Sequence, residues 1–390
     1  MRNNIKIPVA LQMVIDDVGW HKGHDQRYKS WPSRSGLPRM HQPIDYVALN
    51  AVGKGLDMKV TCPFVIGEWD KDNVLRGVPH LTYNEQGWDR ASEIDMAYAE
   101  RCFEAAEGSE YLEYALHGIL HGYYVDGKCL TEAEFYPHKY DAEKGCYTKE
   151  QTWLSREEFE QHIEMFYKIY DSWGFKKKIQ TFVSPCGSVG TPQDNTHYAE
   201  WFKEHGMIYW ANTWRDFPEG IDVAGGVICT NKIPGLPWEA YDIDPTLLEL
   251  KVKEDVEHPR TIWGGHWTNF LRYHPENNME RVPAWIDYFK KHAEVFGCML
   301  SKDIGFSSSQ AVYNRFASIE VLEHGYRIDL NEVDNKGAVG LRNEFYISLK
   351  NGTVPKACSG GTISEYETHD NFKTYKIVRD GKKTVEIILE

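Results

Sequence analysis

No run of about 20 apolar residues occurs in this 390-residue chain, and its start holds no basic segment leading into an uninterrupted apolar one. Neither a helical membrane span nor a secretory leader is therefore indicated, and the expected location is the cytoplasm. Cysteine pairs in C-x-x-C spacing are missing too. The eight cysteines are scattered from Cys62 to Cys358, which excludes a zinc ribbon or disulfide framework and reads as reduced thiols. Positive charge is scarce: 44 Lys and Arg stand against 58 Asp and Glu, a net charge of −14, and no basic cluster exceeds Lys176-Lys177-Lys178. Nucleic acid and anionic membranes both require a positive field, so neither is a partner. The lysine triplet itself reads as a solvated helix end. Repeats and low-complexity tracts are absent, and a homo-oligomer is left open.

What the chain does have is core-forming material, 42% hydrophobic residues with 13 Trp, 23 Tyr and 16 Phe. A barrel of seven or eight βα units takes about 250 residues or more, so the length suits one large catalytic domain and one small one. Up to about residue 305, strand-like runs alternate with helical segments at 91–106, 156–173 and 282–296, the pattern of a parallel sheet. The second of these helices carries its own signals. Ser155 and Glu158 make a capping box, Phe159, Ile163, Phe166, Tyr167 and Tyr170 form an apolar stripe, and Gly174 closes it. After a last helix at 310–322 come short β-type runs at 326–330, 344–349, 374–379 and 383–389, separated by Asn351-Gly352, Gly360-Gly361 and Asp380-Gly381. The last of these turns predicts a hairpin. The expected fold is therefore α/β: a distorted (β/α) barrel of about seven parallel strands over 1–322, with a small antiparallel β unit over 323–390.

Two motifs carry chemistry. The apolar run from Val9 ends in Asp16-Asp17, and the run at 111–116 gives way to His117-Gly118-Ile119-Leu120-His121. An Asp-Asp pair alone is commonly a solvated turn or helix cap, and an i, i+4 His pair is often two neighbours on one helix face. Together, each at the end of a strand-like run, they are more specific, because strand ends converge on one face of a parallel barrel. One carboxylate and two imidazoles make a three-ligand metal site with open positions, leaving the second carboxylate as a base. Zn²⁺ suits that donor set, and Co²⁺, Ni²⁺ or Fe²⁺ fit nearly as well.

These residues give the chain its resemblance to the polysaccharide deacetylase family, the NodB-homology carbohydrate esterases. The family's first motif ends in Asp-Asp, like Ile15-Asp16-Asp17, and its second is His-x-x-x-His, like His117 and His121. Residues 60–69 resemble its second strand, and Leu154 to Phe159 resembles the start of the helix after its second motif. The third motif corresponds to Phe182-Val183-Ser184-Pro185-Cys186-Gly187, with Val183 where the family has an arginine that orients the catalytic carboxylate. The fourth resembles Asp216-Phe217, and the fifth resembles the strand-end His266. The similarity covers about residues 5 to 305.

The resemblance implies Asp17, His117 and His121 as metal ligands, Asp16 as general base, His266 as general acid and Asp216 as the carboxylate holding His266. The implied activity is hydrolysis of an N- or O-acetyl group on a sugar or polysaccharide. With Val183 in the arginine's place, Asp16 needs another cation, and Arg27, Arg34 and Arg39 in the following loop are the candidates. A catalytically weakened carbohydrate-binding protein that keeps its metal is the alternative reading. A glycoside hydrolase is not supported, because its two carboxylates must flank a bond about 5 to 9.5 Å apart and adjacent aspartates cannot. Two long loops, 21–41 and 123–153, add aromatic and polar residues, among them Trp31, Tyr136, His138, Tyr140 and Tyr147, that suit a sugar ligand or simple loop packing.

Overall fold

The computed structural model describes residues 4–19, 39–188, 190–214, 217, 220–236, 240–250, 261–368 and 371–390. The two-residue strand β1 (Ile5–Lys6) leads to β2 (Ala10–Asp16), every residue of which is buried. Burial on both faces is why its sequence reads as a continuous apolar run rather than an alternating one. Then follow α1 (Pro43–Leu56), β3 (Val60–Phe64), α2 (Met96–Glu107) and β4 (Leu112–Leu116). The helix expected from residue 91 begins at Met96, where Asp95 caps it by accepting from the Tyr98 amide at 3.1 Å. The residues before it form a single tight turn at Arg90, whose side chain is held by Glu68 at 2.8 Å and Glu93 at 2.9 Å.

Residues 123–151 form two hairpins, β5 (Tyr123–Val125) with β6 (Lys128–Thr131), and β7 (His138–Asp141) with β8 (Cys146–Gln151). The helix α3 (Arg156–Trp173) has the expected capping box, with the Glu158 amide donating to Ser155 Oγ at 3.2 Å and Glu158 Oε2 accepting from the Ser155 amide at 3.1 Å. Gly174 ends it at φ 79°. The barrel continues through β9 (Thr181–Val183), α4 (Thr196–Glu204), β10 (Tyr209–Asn212), β11 (Ile221–Ala224), β12 (Val227–Pro234), β13 (Ile262–His266), α5 (Trp267–Phe270) and α6 (Asn278–Val295).

Seven strands close a parallel ring in the order β2, β3, β4, β9, β10, β12, β13 and back to β2, while β11 pairs antiparallel with β12 outside it. The distortion lies between β2 and β3, which share only the Val14–Thr61 pairing and a bridge from Val18 to Phe64. Near the start of β2 the short strand β14 (Met299–Leu300) pairs with Ala10 and Leu11, and the Lys302 carbonyl then accepts from the Lys59 amide at 2.8 Å. The central lysine of the triplet departs from expectation. Lys177 is not a solvated helix end: its Nζ donates to the Ser109 and Leu112 carbonyls and lies 4.9 Å from the Tyr114 ring centroid.

The expected helix at 310–322 is corrected to α7 (Ile304–Phe316) followed by a strand, β15 (Ser318–Leu322). Pairing of β15 with β16 (Gly325–Asp329) outweighs helix propagation there. After α8 (Asn331–Asn335) come β17 (Glu344–Lys350), β18 (Pro355–Ser359), β19 (Gly361–Thr368), β20 (Phe372–Arg379) and β21 (Thr384–Leu389). They form two four-stranded antiparallel sheets, β1-β17-β20-β19 and β15-β16-β21-β18. The predicted hairpin at Asp380-Gly381 is therefore not one, because β20 and β21 belong to different sheets. Ile347, Tyr375 and Ile377 from one sheet and Ile328, Val385 and Ile387 from the other share one apolar core, and burying both faces together outweighs a local hairpin. Among the described residues no helix is long and apolar enough to cross a membrane.

A polar cluster links the β2, β3 and β4 strands to α7. Gln12 Nε2 donates to the Lys59 carbonyl at 2.6 Å and to Thr61 Oγ1 at 3.1 Å, and Glu113 Oε1 accepts from Thr61 Oγ1 at 2.7 Å and from the Ile304 amide at 2.8 Å. Burial, aided by nearby Asp303, pushes the Glu113 carboxyl up from 4.5 to about 7. The folded chain thus holds a proton that the unfolded chain releases, so this stabilisation is complete below pH 4.5 and is lost as pH rises through 7. Glu113→Gln keeps the acceptor without the charge. Thermal melts at pH 5 and pH 8 are expected to show the variant gaining stability relative to the parent at the higher pH, and an equal gap at both would contradict it.

Candidate active site

The C-terminal ends of the ring strands bring the sequence motifs together. Asp16 is the last residue of β2, His266 is the last of β13 and pairs in register with it, and His117 follows β4 directly. Asp17 Oδ1 lies 3.5 Å from His117 Nε2 and 3.7 Å from His121 Nε2, with all three residues buried. Two ligands each about 2.0 to 2.1 Å from one ion at the tetrahedral angle are roughly 3.3 to 3.4 Å apart, so this triad needs little movement to hold a metal. The donor chemistry agrees. His117 Nδ1 is 2.7 Å from the Val183 carbonyl, which can only accept, so the proton sits on Nδ1 and the lone pair of Nε2 faces Asp17. That Nε2 is buried without a hydrogen-bond partner among the described residues. Val183 thus serves the site through its backbone, while its side chain packs in the core.

Backbone strain is concentrated here. Asp17 has φ 65°, His121 φ 54°, Cys186 φ 58° and Gly118 φ 83°. Non-glycine residues hold the left-handed region only where surroundings impose it. For the His117–His121 turn the imposing group is Glu134, which sequence reasoning missed. Its fully buried carboxylate accepts from the Ile119 amide at 2.7 Å and the Gly122 amide at 3.2 Å, and a Cβ on Gly118 would strike it. Burial pushes this carboxyl up to about 8, against the pull of those amides. Glu134→Ala strands buried N–H groups in the turn that presents both imidazoles. Zinc affinity, measured by chelator competition, is expected to fall by about 10- to 100-fold, with Glu134→Gln recovering much of it. Unchanged affinity in the Ala variant would show that the turn holds its shape unaided.

The cation beside Asp16 corrects the expectation from the loop. Asp16 Oδ2 forms a buried ion pair with Lys232 Nζ on β12. Arg39 is committed elsewhere, its guanidinium forked onto Asp45 at 2.9 Å through both Nη atoms. Arg27 and Arg34 lie outside the described residues, as do His21, His24 and Trp31 of the same loop. Lys232 is thus the cation beside Asp16 among the described residues, and it reaches the carboxylate from β12. The visible signal was a lysine inside the strand-like run Val227-Ile228-Cys229-Thr230-Asn231-Lys232, where a charge is out of place unless paired.

His266 Nε2 stands 4.0 Å from Asp16 Oδ2, and its Nδ1 is 3.2 Å from the Leu236 carbonyl. Asp216, expected to hold this ring, lies outside the described residues. Burial keeps His266 below the ordinary imidazole range, although Asp16 and Asp17 pull the other way. The Leu236 carbonyl can only accept, so a neutral ring carries its proton on Nδ1 and turns the Nε2 lone pair toward Asp16.

These groups line a cavity of about 220 Å³ together with Glu132, Ser184, Cys186, Gly187, Thr213 and Gly264. Small-molecule sites commonly measure roughly 300 to 1,000 Å³, so this one suits the reacting end of a larger molecule. Among the described residues, the aromatic side chains expected over it do not line it. Tyr136 is a core residue whose hydroxyl donates to Asn195, and Tyr140 and Tyr147 pack on each other at 5.1 Å on the β7–β8 hairpin. Neither they nor His138 line the cavity.

No protein-family model matches the chain. No curated protein matches it in sequence. Among solved structures it is similar to a protein from Mycobacterium smegmatis described as a candidate polysaccharide deacetylase, at 11% identity and TM-score 0.35 over 75% of this chain and 85% of that one. An endogalactoceramidase matches at 8% identity and TM-score 0.30 over 98% and 96%. An α-amylase from Geobacillus thermoleovorans matches at 8% and 0.32 over 96% and 98%. Likenesses this low carry no information about chemistry, which rests on the site itself.

Proposed function

We propose that this protein is a metal-dependent hydrolase that removes an acetyl group from an N- or O-acetylated sugar or oligosaccharide. The observation that carries the reading is the buried Asp17, His117 and His121 triad beside a second, lysine-paired carboxylate at the C-terminal mouth of a closed parallel barrel. The motif resemblance through Asp16-Asp17 and His117/His121 supports the substrate class. Among divalent ions Zn²⁺ suits the two imidazoles and one carboxylate best, and it would supply a Lewis acid for the acetyl carbonyl and an acidified water.

The chain's own residues then divide the proton traffic. Asp16 Oδ1 has no hydrogen-bond partner among the described residues, while Oδ2 is held by Lys232, so Oδ1 is the atom presented to the attacking water. The proton that Asp16 Oδ1 draws from the water passes through a bridging water to the lone pair on His266 Nε2, which stands 4.0 Å from the far oxygen of the same carboxyl, and from there to the leaving amine or alcohol. Asp216 is the further group proposed to steady that ring. The Asp16–Lys232 pair favours this reading over a weakened sugar-binding protein, because the contact that Val183 cannot make is supplied from elsewhere.

The test is acetate release from a panel of N- and O-acetylated mono- and oligosaccharides by metal-free protein reconstituted with one equivalent of Zn²⁺. Acetate from at least one member, lost with chelator, is expected. Binding of the panel without acetate from any member would favour the sugar-binding alternative.

A further inference from the structure

At the outer side of the pocket, His121 belongs to a second group of ligand-type residues with Glu132 and Cys186, whose donor atoms all lie within 4.8 Å of one another. Cys186 Sγ is 3.6 Å from Glu132 Oε2. A thiolate about 2.3 Å and a carboxylate about 2.0 Å from one zinc ion, at the tetrahedral angle, lie roughly 3.5 Å apart, so that separation is already the one an ion imposes. Burial grades outward from buried His121 through partly buried Glu132 to exposed Cys186. The thiol is held there by a tight turn, with Cys186 at φ 58° and Gly187 at φ 83°, where a Cβ on Gly187 would sit 2.6 Å from the Thr213 carbonyl.

We propose that His121, Glu132 and Cys186 form a second, weaker site for a thiophilic divalent cation such as Zn²⁺, Co²⁺ or Cd²⁺. Thiolate in the donor set selects softer ions, whereas the Asp17 triad offers only nitrogen and oxygen. Resting on the metal reading of that triad, a consequence follows. A neutral imidazole has one lone pair, so His121 serves one cation at a time, and filling the outer site strips a ligand from the inner one. Excess zinc is then an inhibitor.

Cobalt titration of the metal-free full-length protein tests this directly, because thiolate ligation adds a near-ultraviolet charge-transfer band that nitrogen and oxygen ligands do not give. The band is expected to be absent after the first equivalent, to grow with the second, to vanish in Cys186→Ser, and to require at least about 10-fold more Co²⁺ in Glu132→Gln. Absence of the band in the parent at saturation, its persistence in Cys186→Ser, or its full growth with the first equivalent each overturns the proposal. Failure of the inner-site reading shows separately, as visible cobalt absorption that His117→Ala leaves unchanged. With Zn²⁺ in place of Co²⁺, acetate release is expected to fall beyond one equivalent in the parent and not in Cys186→Ser.

Discussion

His117→Ala is expected to weaken metal binding by about 100-fold or more. Structural zinc sites gain roughly 10 to 16 kcal/mol from four ligands, so each ligand is worth on the order of 3 kcal/mol, and every 1.4 kcal/mol is a factor of ten. The loss should be no smaller than this, because Nδ1 of His117 is already committed to the Val183 carbonyl and its Nε2 is oriented before the ion arrives. The neighbouring aspartates separate two roles on the same strand end. Asp17→Asn should lose metal together with His117→Ala, whereas Asp16→Asn should retain it and lose turnover by about 10²- to 10⁴-fold, the usual contribution of a general base. Metal content by atomic emission on dialysed variants decides the matter. Full occupancy in His117→Ala would place the ligands elsewhere, and loss of metal in Asp16→Asn but not Asp17→Asn would exchange the two assignments.

Lys232→Met is expected to have the next largest effect, on turnover rather than on metal content. Removing one partner of a buried ion pair leaves the Asp16 carboxylate buried without its counter-charge, which costs on the order of 3 kcal/mol, so kcat/KM should fall by about 10²-fold. Lys232→Arg restores a cation and should recover most of that loss. Metal content should stay as in the parent, since Lys232 contacts Asp16 and not the triad. A residue that merely packed the barrel would be replaced as well by Met as by Arg, and that outcome would remove Lys232 from the mechanism.

Much of this candidate site could be read in the sequence because Asp16-Asp17 and His117 each stand at the end of an apolar strand. The run before Asp16 and the run before His117 are strands with both faces buried, and a parallel ring carries their ends to one place whatever their separation along the chain. The cation of Asp16 could not be found the same way. Proximity in sequence suggested Arg27, Arg34 and Arg39, yet Arg39 is already tied to Asp45; Lys232 stands out as a charge inside an apolar run, but its meeting with Asp16 follows from the strand order β12, β13, β2 rather than from any local pattern. Glu134 gave no signal, since what its carboxyl holds in the turn is backbone amides, which no residue type in the sequence marks. In the C-terminal region strand content was legible and strand partnership was not. Asp380-Gly381 is a favourable hairpin turn, and the pairing was decided instead by a core that Tyr375 and Val385 enter from opposite sheets.

The pairing of Ile5 with Leu349 and Lys6 with Ser348 also bears on the order of events during synthesis. The segment that leads into the Asp16-Asp17 strand is held by partners made much later. Gln310 Nε2 donates to the Pro8 carbonyl at 2.6 Å, Ser307 Oγ to the Ala10 carbonyl at 2.6 Å, and Asn314 Nδ2 to the Ile7 carbonyl at 2.5 Å. At about 5 to 20 residues per second, tens of seconds separate the first aspartates from the strand that anchors them. A nascent chain stalled before Glu344 would carry Asp17, His117 and His121 and still lack the strand that pairs with β1, so the barrel's opening strand is secured only after the whole ring has been made.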